Sequence, residues 1–270
     1  MAAKEEKKEV ATVDQTSALP AFMGDMSDVA GLGNSQNPED ASLPFLGILQ
    51  QLSPELNESK PEYMEGAKSG FLASKSIGKF WPSRIAKGED GMLVVPCGFQ
   101  RNFVVWKPQR GGYVETLPYD TDLLKRRGAK QSKVMVEGKE RTMLMMDGNI
   151  VTDTMYTFVV DLEGNPYIIG AASTAQGPMR NWMSYRNTQK HPKSGLTLPA
   201  FAKVYRLRTA EQTKDNNTWH NWKVDDAGFV TSQMLYEAAK MFATKIAAGE
   251  VQIGRPDMFD SDPSSDEVPV

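Results

Sequence analysis

Strand–turn–strand signals recur along the middle of this 270-residue chain, and they constrain its fold more than any other feature. Residues 92–96 and 103–106 flank Cys97-Gly98-Phe99; residues 133–136 and 142–146 flank Glu137-Gly138-Lys139-Glu140. Residues 156–160 and 167–169 flank Gly164-Asn165-Pro166, and 201–208 and 218–224 flank Thr213-Lys214-Asp215-Asn216-Asn217. Runs of β-branched and aromatic residues broken by such turn clusters pair as hairpins. Four in succession predict an α+β, β-rich fold: an antiparallel OB-like barrel or a curled sheet, with peripheral helices.

Helical spacing interrupts the strands. Residues 173–190 place Met179, Trp182 and Met183 on one side, and 231–248 carry the stripe Leu235, Ala238, Ala239, Phe242 and Ile246, with Gly249 as a stop. Residues 122–127 form a short basic piece. Within 42–66 a short helix is expected before a linker: Ser42 stands at the N-cap, Pro44 in the first turn, and Phe45, Ile48, Leu49 and Leu52 recur at helical spacing. Residues 1–41 hold too few large apolar groups to offset the entropy of ordering, and 255–270 are Asp/Ser/Pro-rich, so both ends are expected to be disordered around a body at 67–254.

Charge is segregated. The net −3 divides into −8 over 1–66, +10 over 67–256 and −5 over 257–270. A basic body between acidic arms points to a polyanion partner. No apolar run approaches the ~18–20 residues of a membrane helix, and the start lacks a secretory apolar core. The expected location is cytoplasmic, with no membrane partner.

Enzyme templates fit poorly. Gly78-Lys79 is followed by Phe80, not by Ser or Thr, so it makes no phosphate loop. One cysteine, Cys97, and two histidines, His191 and His220, leave no multi-cysteine zinc site and little room for a catalytic triad. Asp147, Asp153 and Asp161 show no paired-acid spacing. The expectation is a non-enzymatic protein without metal or cofactor.

Binding chemistry fits better. Single-stranded nucleic acid is held by cations along the phosphates and aromatic faces under the bases. Four interleaved clusters supply both: Lys75, Lys79, Trp81 and Arg84; Arg101, Phe103, Trp106, Lys107, Arg110 and Tyr113; Arg180 and Arg186 around Trp182 and Tyr185; and Lys203, Tyr205, Arg206, Trp219, Trp222 and Lys223. Period-two alternation sets Arg101, Phe103 and Lys107 on one strand face and Trp106 on the other, so one of the two rings is expected inside and one outside. The same holds for Trp219 and Trp222.

The end of the chain, Asp260-Ser261-Asp262-Pro263-Ser264-Ser265-Asp266-Glu267-Val268-Pro269-Val270, resembles the C-terminus of bacterial single-stranded DNA-binding proteins. There an acidic stretch precedes an apolar-proline-apolar tip; Val270 departs from that family's terminal phenylalanine. The stretch Ala41 to Pro54, with residues 94–106, looks like a group of tailed-bacteriophage proteins. The resemblance implies an OB-like barrel, single-stranded DNA as partner, and replication or recombination proteins recruited through Asp262, Asp266, Glu267, Val268, Pro269 and Val270. A homo-oligomer is compatible with it. The rival expectation is a phage-encoded regulator that binds a host enzyme such as RNA polymerase or a nuclease.

Overall fold

The computed structural model describes residues 43–108, 112–136, 139–191, 193–214, 217–251 and 253. The acidic ends, 1–41 and the tail from 255, lie outside the described residues. A small antiparallel sheet joins β1 (Gly47–Ile48), β2 (Leu72–Ser74) and β3 (Lys79–Trp81). The main sheet has eight strands: β4 (Met92–Trp106), β5 (Tyr113–Pro118), β6 (Lys130–Val136), β7 (Lys139–Met146), β8 (Asn149–Asp161), β9 (Pro166–Ala171), β10 (Lys203–Lys214) and β11 (Asn217–Phe229). Three helices accompany them: α1 (Thr121–Arg126), α2 (Gln176–Thr188) and α3 (Gln233–Ala247).

The long antiparallel pair β4–β8 is the spine. β10 joins the first residues of β4 and carries β11 outside it, while β9 lines the second half of β8. β5 flanks the end of β4, and the β6–β7 hairpin is attached at the start of β8. The path β11-β10-β4-β8-β7-β6 ends on two different strands. The sheet is therefore open and curled, and the closed OB-like barrel is not formed.

Three of the expected hairpins form, as β6–β7, β8–β9 and β10–β11. The fourth does not: residues 92–106 make one strand. Its register passes from Pro96↔Val159 to Gly98↔Phe158, leaving Cys97 as an extra, bulged residue. A bulge absorbs the turn-like residues and accepts a proline, which has no N–H for the ladder. It also resets the alternation, so that the neighbours Cys97 and Gly98 both face α3. Gly98 permits the close approach of that helix; a Cβ there would lie 2.8 Å from Ile246 Cγ2.

The helix expected over 42–52 is absent. The segment is extended, with a parallel bridge from Phe45 to Ile168 and β1 paired to β2. Leu46 N donates to Ile168 O at 2.8 Å and Leu49 N to Phe71 O at 2.9 Å. Phe45, Leu46, Ile48 and Leu49 are all buried, in three different clusters. A short run buried on all sides satisfies its backbone from neighbouring strands, and periodicity over so few residues does not separate helix from strand.

α2 and α3 cover opposite faces of the spine. Met179 and Trp182 pack with Val94, Met155, Val159, Tyr205 and Trp222. Leu235 and Ala239 pack with Val95, Cys97 and Val160. At the far end of β4, Phe103 and Val105 meet Leu117 and Leu124, while Val104 and Trp106 meet Tyr156 and Phe158. Among the described residues no helix is long and apolar enough to cross a membrane.

Candidate nucleic-acid interface

Helical spacing gives α2 a second working face. Pro178, Asn181 and Tyr185 recur at three- and four-residue intervals beside the buried Met179–Trp182 face, so they look across to β11. Between them and Tyr205, Trp222, Lys223 and Val224 runs a cleft of about 430 Å³. The fourth cluster of the sequence thus meets the third. Trp182 and Tyr205 form its inner wall, with ring centroids 5.4 Å apart in an edge contact. Tyr185 is 44% exposed on its rim.

Two carboxylates on β11 hold the far wall in place. Asp226 accepts from Tyr185 Oη at 2.7 Å and pairs with Lys203. Burial would raise its pKa, but these hydrogen bonds outweigh burial and hold it low. The same hydrogen bond raises the pKa of Tyr185, and burial pushes Tyr205 up to about 12. Asp225 accepts from Arg208 Nη2 at 2.7 Å, with the exposed Lys223 Nζ 3.9 Å away.

A polar chain leads from the first turn of α2 back to β4. Arg180 donates to Gln176 Oε1, and Gln176 Nε2 donates to Asp153 O at 2.6 Å. The Asp153 carboxylate takes a two-pronged contact from Arg101, whose guanidinium lies 4.0 Å from the centroid of Tyr119. Arg186 is different in kind. Its guanidinium lies over Trp182, and its Nε and Nη1 are buried without a hydrogen-bond partner. Burial lowers its pKa.

The other expected site residues lie elsewhere. Lys75 pairs with the buried Glu55 at 2.8 Å, and Arg84 grips Glu89 through Nε and Nη2. Trp81 meets Tyr167 edge-on, and Lys79 is exposed at the start of β3. Lys107 is exposed past the end of β4, and Tyr113 packs edge-on against Trp106. Arg206 Nη1 donates to Asp90 O at 2.8 Å. Trp219 is half-buried on β11. Arg110 and the tail residues Asp262, Asp266, Glu267, Val268, Pro269 and Val270 lie outside the described residues.

Burial corrects the expectation of one inner and one outer ring on β4, and that of a stacking Tyr205; of the Trp219 and Trp222 pair, Trp222 is the inner ring. Phe103 is 4% and Trp106 1% exposed, so both are inside; Leu124 of α1 and Tyr119 cover one face of this end of the sheet, and Phe45 with Phe242 and Ile246 of α3 covers the other. Tyr205 and Trp222 are core residues that reach the cleft only as its lining. The ring the cleft offers to solvent is Tyr185. Pro178 and Asn181, which the sequence reading missed, share its helical face, and their three- and four-residue spacing was the available signal; the pairing of Lys203 with Asp226 required the β10–β11 register.

Among the described residues no group of three or more His, Cys, Asp or Glu side chains could hold a metal ion. No curated protein and no solved structure matches the chain. Residues 12–252 match the family model described as Pam3 phage gp34-like protein, and the chain belongs to that phage family.

Proposed function

We propose that this phage-family protein is a non-enzymatic, sequence-tolerant binder of single-stranded DNA that acts in replication or recombination in the host cytoplasm. The observation that carries the reading is the α2–β11 cleft. It sets an exposed ring, Tyr185, beside Lys223; Arg180 and Arg186, the latter with Nε and Nη1 free of hydrogen-bond partners, stand on the same helix outside the cleft lining. Stacking on a ring while cations follow the phosphates needs no base-specific contact. The acidic tail extends the proposal to replication or recombination partners.

Titration of the full chain with oligo-dT tests it. Tryptophan fluorescence should change on binding, because two tryptophans line the cleft: Trp182 and Trp222. With about five phosphate contacts, affinity should fall with salt at a log–log slope of roughly −3.5. Absence of binding at low salt ends the reading.

One observation favours the protein-binding regulator instead. Lys75, Arg84, Arg101, Lys203 and Arg208 are each neutralised by a carboxylate, while Met234 and Met241 stand exposed on α3. Failure to bind oligo-dT, with a host RNA polymerase or nuclease inhibited by the purified protein, would select it.

A further inference from the structure

The β6–β7 hairpin is a different kind of element from the strands around it. β6 and β7 pair with each other over seven rows, from Lys130↔Met145 to Val136↔Lys139. Only two rows, Met145↔Ile150 and Met146↔Asn149, tie β7 to β8. Beyond that base the hairpin is a two-stranded ribbon, and its six remaining rows at ~3.3 Å each make it roughly 20 Å long. Lys130, Gln131, Lys133 and Thr142 are exposed along it, and Met135 is 59% exposed.

The ribbon and the helix before it concentrate positive charge. Residues 121–146 contain seven Lys/Arg and three Asp/Glu, a net +4. That is two-fifths of the net charge of the body in about one-seventh of its residues. Lys125 and Arg126 are exposed on α1 just before the ribbon. The pairs Lys125–Asp122 and Lys133–Glu140 are solvent-exposed contacts at 3.2 and 2.8 Å. Such pairs hold little free energy, so a phosphate can displace the carboxylate. Lys130 has no acidic partner among the described residues.

We infer that this ribbon is a contact for duplex DNA, adding a double-stranded foothold next to the single-strand cleft. The inference rests on the nucleic-acid reading above and extends it from unpaired strands to single-strand/double-strand junctions. A two-stranded ribbon fits the major groove, which is about 12 Å wide. Lys130 and Lys133 reach the flanking phosphates, and Met135 offers an apolar contact of the kind that meets thymine methyls or wedges between base steps. A second copy of this chain fits less well, because two ribbons of like net charge would repel.

The test compares three probes with the full chain: oligo-dT, a blunt duplex, and that duplex with a dT overhang. The variants are the exposed double changes Lys130→Glu with Lys133→Glu and, as a milder pair, Lys130→Gln with Lys133→Gln. Charge reversal is expected to weaken duplex binding by about tenfold or more, to reduce the salt slope by about two, and to leave oligo-dT affinity within about twofold. The overhang substrate should lose its advantage over oligo-dT. Duplex binding that is absent in the parent, or unchanged in both variants, overturns the inference. A variant that changes oligomeric state on a sizing column without changing duplex binding also overturns it, in favour of a contact between copies. Ribbon-dependent duplex binding without oligo-dT binding upholds the ribbon and removes the cleft reading.

Discussion

Tyr185 on α2 donates its phenolic hydrogen to Asp226 on β11 at 2.7 Å, across the mouth of the cleft. The bond spans 41 residues of sequence and ties the helix to the outer strand of the sheet. It also fixes the one exposed ring of the cleft at a defined angle, with Lys203 sharing the same carboxylate.

Removing that ring should cost affinity but little stability. Tyr185→Ala is expected to weaken oligo-dT binding by about 1–3 kcal/mol, the range for loss of one base–aromatic contact. Tyr185→Phe keeps the face and loses only the bond to Asp226, so it should retain most of the affinity. Fluorescence anisotropy at fixed salt checks both. Equal affinity of Tyr185→Ala and the parent would show that no base rests there.

Arg186 should trade stability for binding. A buried guanidinium whose Nε and Nη1 find no acceptor is a net cost to the folded state. Arg186→Met keeps the length and apolar stem while removing that cost, so the free protein should gain about 1–2 kcal/mol in urea denaturation. The same change should weaken oligo-dT binding if a phosphate is the missing acceptor. A destabilised variant would mean that the guanidinium is satisfied in solution.

Gly91 stands where no side chain fits. Its φ is +72°, and a Cβ would lie 2.0 Å from the carbonyl oxygen of Leu207 on β10. Gly91→Ala must push β4 and β10 apart at their shared end. A loss of about 2–3 kcal/mol is expected, at the upper end for overpacking, because the obstacle is backbone. Thermal denaturation would record it. The change at Gly98 is milder in kind, because there the neighbour is the Ile246 side chain.

His220 should make stability fall in mild acid. Its ring is buried between β11 and the small sheet, with Ser69 Oγ 3.4 Å from Nδ1 and Glu211 3.9 Å from Nε2. Burial lowers its pKa; Glu211 pulls it up and Arg84 pushes it down, but burial dominates. The unfolded chain therefore binds a proton at higher pH than the folded one. The stability contribution is complete above the ordinary histidine pKa of about 6.5 and is lost as pH falls through that value toward the lowered one. Urea midpoints at neutral pH and near pH 5 should differ more for the parent than for His220→Gln; parallel pH profiles would show that carboxylates elsewhere are responsible.

Local pattern made much of this architecture legible. The hairpins β6–β7, β8–β9 and β10–β11 are written as alternation around a turn, within about 30 residues each, and alternation is a property of neighbours in sequence. The stripe of α3 and its Ser232 cap, which accepts from Leu235 N, are local in the same sense. The uninterrupted course of β4 was hidden because Pro96-Cys97-Gly98 is turn chemistry that a bulge can also use. The extended course of 43–49 was hidden because its partners are Phe71 and Ile168.

The sequence determined a β-rich antiparallel body, the places of the three helices α1, α2 and α3 though not the extended course of 43–49, and a net positive charge in the middle of the chain. Only the tertiary structure decided that the sheet stays open, that Phe103 and Trp106 are both inside, and that Tyr185 is the ring left at the cleft. It also decided which cations are neutralised: Arg101 meets Asp153 at a separation of 52 residues and Lys203 meets Asp226 at 23. The physical reason is that burial and ion pairing are set by what packs against a residue, and here the packing partners come from distant strands and helices whose register no local pattern records.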